Sequence, residues 1–338
     1  MVAPRWGGAD REDGGLPGGA TLREATRGWV LVDDGDRRRL GVALAWAQRA
    51  GVGELHLVVD SAPDPATAGY LAWQAAELEQ PPAVWSLQGR ELQRAAVAAP
   101  PPDPALPAGA AHLAGMVEEV GAEVVVEHGV LRAEIAGLEI ARAVPDAGGA
   151  WRLAVGVGAA DRAALAELRP GEDPRAALGR VADAVGRHRR PGAPAHPANL
   201  LCRERWLRSV LVARPDLVGV GELTPSPPVL PRTDLRAPAA APAVGDGVVV
   251  VASTGVDLDL VPAAAAARAV ADPTARLVIA VPAGDDHPLT RSLAGALARP
   301  AQVVTVPRDW PAQLGTAPGA HRPGIRRHRG PAGAPPVG

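Results

Sequence analysis

Two acidic segments in the last third of the chain carry the residue types best suited to chemistry. Each follows a short apolar run that predicts a strand, and ligands of parallel α/β sheets lie at the carboxyl ends of strands. Carboxylate oxygens in such loops suit Mg²⁺ or Mn²⁺. If the two strands are neighbours, the segments predict a metal-dependent hydrolase or phosphotransfer enzyme. The candidate ligand or metal residues are Asp257, Asp259, Asp285, Asp286 and His287, with Ser253, Thr254, Gly255 and Arg291 beside them.

Helix capping is the alternative explanation of the same carboxylates. Asp259 and Asp286 stand shortly before Pro262 and Pro288, where the sequence predicts that two helices begin. A cap serves one helix end, so this alternative predicts carboxylates that lie too far apart to share an ion. The first segment also lacks the G-x-G-x-x-G pattern of dinucleotide-binding proteins.

A second region resembles, in outline, the metal-binding hairpin of PD-(D/E)XK nucleases. Residues 131–134 (LRAE) are followed, after a predicted turn at 146–149, by residues 152–156 (RLAVG). Ala154 stands where that family has its second carboxylate, and Gly156 stands where it has lysine. The resemblance therefore implies a non-catalytic, nuclease-like protein that binds nucleic acid or a protein partner. Glu134 and Glu139 would face opposite sides of one regular strand, and solvated strand edges are the usual place for Glu.

Clusters of arginine predict weak nucleic-acid binding through phosphate contacts. They lie at residues 37–39, at residues 187–190 and at residues 322–329, and the candidate contacts in the second are Arg187, Arg189 and Arg190. A solvated face or tail is the more usual explanation of all three clusters, and the net charge of −2 creates no overall basic field. Cys202 and His196 have the types of a nucleophile and its base. A free Cys beside the apolar face of a helix is, however, more often a small buried hydrophobe.

The composition excludes several classes of enzyme. All 35 basic side chains are Arg, so a P-loop, a kinase Lys–Glu pair and a Schiff base are ruled out. A single Cys excludes an internal disulfide and a multi-Cys zinc site. The first residues lack the apolar core of a signal peptide, and every stretch of 18 apolar residues is interrupted by charge. We therefore expect no membrane segment and a cytoplasmic protein.

Hydrophobic periodicity predicts an α/β fold: a mixed N-terminal α/β region with a β-hairpin, followed by a C-terminal β-α-β-α-β parallel unit. The segments RAGVGELHLVVD and EEVGAEVVVEHG suggest two copies of one helix–Gly–strand unit. The expected divisions are a disordered leader at 1–27, an α/β region at 28–213, a Pro-rich linker at 214–245, a Rossmann-like half-unit at 246–310 and a disordered basic tail at 311–338.

Long stretches of the chain resemble a conserved hypothetical protein family of actinobacteria. The resemblance lies in RLGVALAWAQRAGVGELHLVVD, VVVEHGVLRAEIAGLEIARAV, LAVGVGAADR, AHPANLLCRERWLRSVL and VVVVASTGVDLDLVPAAAAARAV. It covers most of residues 37–310 and implies no activity. It does imply that GVDLDLVP and EHGVLRAE are signature stretches.

Overall fold

A computed structural model describes residues 11–232 and 234–313 of the chain. Within these ranges the chain forms three β-sheets and eight α-helices, joined by short 3-10 helices at Ala108–Leu113, Pro197–Leu200, Pro215–Val218 and Trp310–Gln313. The α/β fold class is therefore confirmed. The first ten residues and the predicted basic tail from residue 314 onward lie outside the described residues. Among the described helices, none has the length and hydropathy that a bilayer-spanning segment needs.

The first sheet contains six strands in chain order. They are β1 (Arg11–Leu16), β2 (Gly19–Glu24), β3 (Arg27–Val32), β4 (Glu54–Asp60), β5 (Ala83–Gln88) and β6 (Glu91–Arg94). The pairs β3–β4 and β4–β5 are parallel, and the others are antiparallel. Helices α1 (Leu40–Ala50) and α2 (Thr67–Ala75) bury Leu40 and Leu71 against Leu57 and Val59 of β4.

The predicted disordered leader is wrong for residues 11–27. These residues form β1, β2 and the turn into β3. Strand β1 is almost fully exposed and rich in Gly and charge, so it shows no alternation of apolar and polar residues. Its order comes from backbone pairing with β2, which a pattern of hydrophobicity does not reveal.

The last sheet contains the predicted parallel unit. Its strands are β11 (Thr224–Pro225), β12 (Ala241–Gly245), β13 (Val248–Ala252), β14 (Arg276–Pro282) and β15 (Gln302–Val306), and its helices are α7 (Leu260–Ala271) and α8 (Pro288–Gly295). Strands β13, β14 and β15 are parallel neighbours, which confirms the β-α-β-α-β prediction for 246–306. The predicted linker at 214–245 is wrong at its end, because β12 pairs with β13. The carbonyl of Pro242 accepts the N–H of Ser226 on the side of the two-residue strand β11, so the N–H that proline lacks would also point to that side and the pairing with β13 is kept.

Two copies of one unit make up these two sheets. In β2–β5 and in β12–β15 an antiparallel pair is followed by two parallel pairs, with helices in the same places. A glycine with positive φ follows the second strand of each copy, namely Gly35 at +67° and Gly255 at +75°. The predicted echo between RAGVGELHLVVD and EEVGAEVVVEHG is a different pair. Both segments do have the order helix, glycine with positive φ and strand, with Gly51 and Gly121 at the turn. The likeness stops there, because the first segment ends in parallel β4 and the second ends in an antiparallel sheet.

The two copies pack through their helices, which form a layer between the sheets. Helix α7 contacts both α1 and α2. Leu78 and Leu297, each beyond the second helix of its copy, form an antiparallel bridge. Its two hydrogen bonds are reciprocal, since Glu79 donates to Ala296 and Ala298 donates to Glu77. The copies are thus related much as two subunits of a symmetric dimer are.

The remaining sheet is an antiparallel meander. Its strands are β7 (Glu123–Glu127), β8 (Val130–Ile135), β9 (Leu138–Pro145) and β10 (Trp151–Val155), and it is accompanied by α3 (Ala114–Glu119), α4 (Gly158–Leu168), α5 (Pro174–His188) and α6 (Arg203–Ala213). The stretch predicted as the first arm of a hairpin is two strands joined by a turn at Ala136 and Gly137, both with positive φ. Helix α6 buries Trp206 and Leu207 against the last sheet and turns Arg205 and Arg208 toward the meander.

Candidate functional site

The predicted acidic residues of the second loop are each engaged separately. Asp285 accepts the N–H of Gly255 at 2.7 Å, and Asp286 forms a two-point ion pair with Arg291 at 2.8 Å. His287 is the N-cap of α8, where its Nδ1 accepts the backbone N–H two residues ahead. Among the described residues, no group of three or more His, Cys, Asp and Glu could hold a metal ion. The predicted convergence of the four carboxylates is therefore wrong.

The capping alternative is also wrong as it was framed, because neither predicted Asp caps its own helix. Asp259 is the residue before α7, yet its side chain makes no capping hydrogen bond there. Its Oδ1 instead accepts the N–H of Gly41, in the first turn of α1, at 2.7 Å. Asp259 thus caps the equivalent helix of the other copy. A Cβ on Gly41 would lie 1.9 Å from the carbonyl oxygen of Leu258, so this close approach requires glycine.

A cavity of about 80 Å³ lies where the two copies meet. The loop after β3 contributes Arg37 and Arg38, and the loop after β13 contributes Asp257 and Asp259. Helix α2 contributes Tyr70 and Gln74, α7 contributes Ala263 and Ala267, and α6 contributes Arg205. Residues 226–240, which we call the proline-rich strap, close the cavity with Pro228, Val229, Leu230, Arg232, Pro238, Ala239 and Ala240. We call this space the inter-unit cavity.

The arginines around the inter-unit cavity already have protein partners. Arg37 donates twice to Asp64, at 2.8 and 3.1 Å, and Arg38 donates to the carbonyl of Pro231 at 3.0 Å. Arg205 donates to two buried glutamates at 2.6 Å each. Arg232 pairs with Glu204 and donates to two carbonyls of the strap. These side chains hold the cavity walls together.

Unlike these arginines, several hydrogen-bond acceptors in the inter-unit cavity lack a donor among the described residues. Gln74 is 5% exposed, and its Oε1 has no hydrogen-bond partner among the described residues. One carboxyl oxygen of Asp257 accepts the backbone N–H of Asp259. Within the described chain, neither the carboxyl of Asp257 nor that of Asp259 forms an ion pair. The hydroxyl of Tyr70 likewise makes no hydrogen bond with the residues described. The oxygens of Gln74, Asp257 and Asp259 therefore form a group of acceptors that can receive further hydrogen bonds, beside a Tyr70 hydroxyl that can donate or accept.

Burial controls the titration of this site. Asp259 is half-buried, with its remaining surface on the cavity wall, and removal of water raises its pKa to about 7. The neighbouring charges of Asp257 and Asp36 act in the same direction, whereas the Gly41 N–H and Arg39 oppose it. Burial also raises the pKa of Asp257 and of Tyr70. Near neutral pH, both carboxyls therefore ionise less readily than exposed ones.

Behind the inter-unit cavity lies a buried network of ion pairs. Arg205 and Arg208 of α6 contact Glu127 and Glu134 of the meander, with Arg205 at 2.6 Å from each and Arg208 at 3.2 Å from Glu134. Burial opposes ionisation of Glu127, but the two guanidinium groups outweigh it and hold its pKa below the ordinary value. This network joins the meander to the cavity wall through Arg205.

The expectation that Glu134 and Glu139 sit on solvated strand edges is wrong. They are 0% and 6% exposed, and they lie opposite each other on β8 and β9 rather than on one strand. Glu139 is surrounded by three guanidinium groups, from Arg132, Arg142 and Arg162. Charged groups are buried here because each has a partner.

The predicted nucleic-acid contact at Arg189 is wrong, because this side chain is only 4% exposed. It donates to the carbonyls of Ala136, Ala198 and Leu201 and lies over the ring of Trp206. The neighbouring Arg187 and Arg190 are exposed. The cluster at 187–190 is therefore one structural arginine between two surface ones.

The predicted Cys–His pair is also not formed. Cys202 is the N-cap of α6 rather than a residue inside it, and burial raises the pKa of its thiol. His196 caps the 3-10 helix Pro197–Leu200 and stacks on His188, with 3.6 Å between ring centroids. A buried thiol with a raised pKa is a poor nucleophile.

No family model, curated protein or solved structure matches the chain. Sequence reasoning found Asp257 and Asp259 but missed Tyr70 and Gln74, which face them from α2. The one available signal was their spacing of four, which places both on one face of a helix. Tyr70 is also the single tyrosine of the chain.

Proposed function

We propose that this chain is a non-catalytic binding protein that holds a small polar molecule in the inter-unit cavity. The observation that carries the proposal is the buried Oε1 of Gln74, which lines a cavity and has no partner in the described part of the chain. Such an acceptor costs about 1–3 kcal/mol, and folded proteins retain few of them. A bound molecule that donates to Gln74 would recover this cost.

The position of the cavity supports the same proposal. It lies beside the loops that follow β3 and β13, the strands at which each copy changes from antiparallel to parallel pairing. In open α/β sheets, ligands bind beyond the carboxyl ends of the strands, which is where these two loops lie. A crevice between two packed units is also a common location of ligand sites.

Binding is favoured over catalysis by the state of the reactive groups. Cys202, the single thiol, is buried at the N-cap of α6, and the arginines of the cavity are held by protein partners. The nuclease-like outline and the weak nucleic-acid binding stay predictions. The geometry favours them less, because Glu134 is enclosed by two arginines and Arg189 is buried.

Filling the cavity tests the proposal. Ala263 lines the cavity from α7, so Ala263→Leu should occupy the space without removing a polar group. Val270→Leu, on the exposed side of the same helix, is the matched control, since Val270 is 57% exposed. The melting temperature is measured with small ammonium, amidinium, amide, carboxylate and phosphate compounds, because a ligand that binds the folded state raises it.

We expect at least one compound class to raise the melting temperature of the wild type and of Val270→Leu, but not that of Ala263→Leu. Ligand-observed NMR on the same three proteins checks that the shift reflects binding. If no class binds the wild type, or if Ala263→Leu binds as well as the wild type, the inter-unit cavity is not a ligand site.

A further inference from the structure

The hydrogen-bonding groups of the inter-unit cavity restrict the chemistry of its ligand. Gln74 Oε1 is an acceptor to which no residue of the described ranges donates. One carboxyl oxygen of Asp257 is used by the N–H of Asp259, and one of Asp259 is used by Gly41. The second oxygen of each carboxyl has no hydrogen bond from the described residues. A molecule that satisfies these three acceptors has to bring several donors.

The pattern of ion pairs around the cavity also favours a ligand that brings donors, and it favours one with a positive charge. Arg37, Arg205 and Arg232 each have a carboxylate partner outside the cavity. Asp257 and Asp259 have none within 4.0 Å in the part of the chain described. The guanidinium groups that act on them from farther away are held elsewhere, Arg38 by a strap carbonyl and Arg39 by Asp34. The paired arginines leave the two Asp as the groups able to take up a new charge partner.

The size of the site limits the ligand to a small group. A cavity of about 80 Å³ has the volume of roughly five to eight water-sized spheres. Its walls at Ala263, Ala267 and Val229 are apolar and suit a methyl or short alkyl portion. A planar amidinium, or an ammonium on a short chain, meets both the size and the donor requirement.

We infer that the ligand is a small organic cation with several N–H donors, an amidinium or a primary ammonium, that pairs with Asp257 and Asp259 and donates to Gln74. This inference rests on the proposed function. It follows that binding depends on ionisation of the carboxyls, so affinity rises as pH rises. The charged and titratable groups around the pair are Asp36, Arg38 and Arg39 from the loop after β3 and Tyr70 from α2.

The test uses acetamidinium and methylammonium as probes, with neutral acetamide and with acetate and phosphate as comparisons, all at matched ionic strength. Affinity for the wild type is measured by ligand-observed NMR from pH 5 to pH 8.5. We expect acetamidinium to bind at least tenfold more tightly than acetamide. Its affinity should rise by about tenfold per pH unit below pH 7 and level off above it.

Three variants test whether the cation pairs with Asp257 and Asp259. Asp259→Asn and, separately, Asp257→Asn should weaken acetamidinium binding at least tenfold and flatten its pH dependence. Asp272→Asn is the control and should leave the affinity unchanged, because Asp272 is at the end of α7 and does not line the cavity.

Two results would overturn the inference. In the first, acetate, phosphate or acetamide binds, the cations do not, and Ala263→Leu abolishes the binding. The inferred ligand class is then wrong, whereas the proposed binding function stands. If the cations bind but neither Asp variant changes their affinity, the cations do not pair with these carboxyls, and the inference is wrong.

Discussion

Replacing Asp259 by Asn should make the protein more stable at neutral and alkaline pH. The pKa of Asp259 is raised from 3.8 to about 7 in the folded protein, mainly by burial. Between these two values the folded state binds a proton that the unfolded state does not. The free energy of unfolding of the wild type therefore falls as pH rises from about 4 to about 7, and it stays low above that range. Asn removes this titration and keeps an oxygen that accepts the Gly41 N–H.

The size of the effect follows from the difference of about 3 between the two pKa values. At about 1.4 kcal/mol for each tenfold change, the variant should gain on the order of 4 kcal/mol at pH 8 relative to the wild type. Near pH 4 the two proteins should differ little, because both then carry a neutral group at this position. Urea unfolding, followed by tryptophan fluorescence at several pH values, measures the difference directly.

Asp272→Asn is the control, because its effect on the free energy of unfolding at pH 8 should have the opposite sign. Hydrogen bonds from Thr274 lower the pKa of this carboxyl. Its contribution to stability is present above its unfolded pKa and is lost as pH falls, so Asp272→Asn should cost stability at pH 8. If the gain of Asp259→Asn is the same at pH 4 and pH 8, burial of a titrating carboxyl is not its cause, and the argument fails.

Three further outcomes are expected. Gly41→Ala should destabilise the fold by about 1–3 kcal/mol or more through a backbone clash, whereas Gly186→Ala, with open space around it in α5, should be neutral or stabilising by urea unfolding. Arg205→Met should cost about 3–5 kcal/mol because it leaves buried carboxylates short of a partner, and equal losses for the exposed Arg175→Met would contradict this. The thiol of Cys202 should react with a thiol reagent only as fast as the protein opens, and rapid reaction of the native protein would disprove its burial.

The parallel unit at 246–306 was predictable because its strands are continuous apolar runs. Four valines make up most of β13, and β14 is buried on both faces. Such runs between Gly- and Pro-containing loops are typical of parallel sheets. Strand β1 has no comparable pattern, and β12 contains Pro242, which argues against a strand unless its tertiary partners are known.

The candidate site was only half predictable, for a physical reason. Asp257 and Asp259 follow a strand, so their position in the chain indicates a loop at a sheet edge. Tyr70 and Gln74 reach the same cavity from the other copy, and no local pattern states which helix faces meet. Recognition of the repeat between the two β-α-β-α-β units would have supplied that missing pairing.

The predicted exposure of the two glutamates was wrong for a related reason. Exposure is the usual fate of Glu, and nothing near Glu134 in the chain contradicts it. Its partners Arg205 and Arg208 lie on a helix some 70 residues later, at a separation of 71 and 74 positions. Two arginines flanking the buried Trp206 and Leu207 were the one indication that this helix carries charge into the interior.

The pairing of two similar units within one chain has a consequence for the orientation of anything bound between them. In a symmetric dimer of identical chains, the residue before one helix would meet its own copy, so that Arg faces Arg or Asp faces Asp. Here Arg39 precedes α1 and Asp259 precedes α7, and each favours the charged form of the other. The wall of the inter-unit cavity correspondingly carries Arg37 and Arg38 from one copy and Asp257 and Asp259 from the other. The two sides of the crevice are therefore not equivalent, and a bound molecule meets different groups on each side.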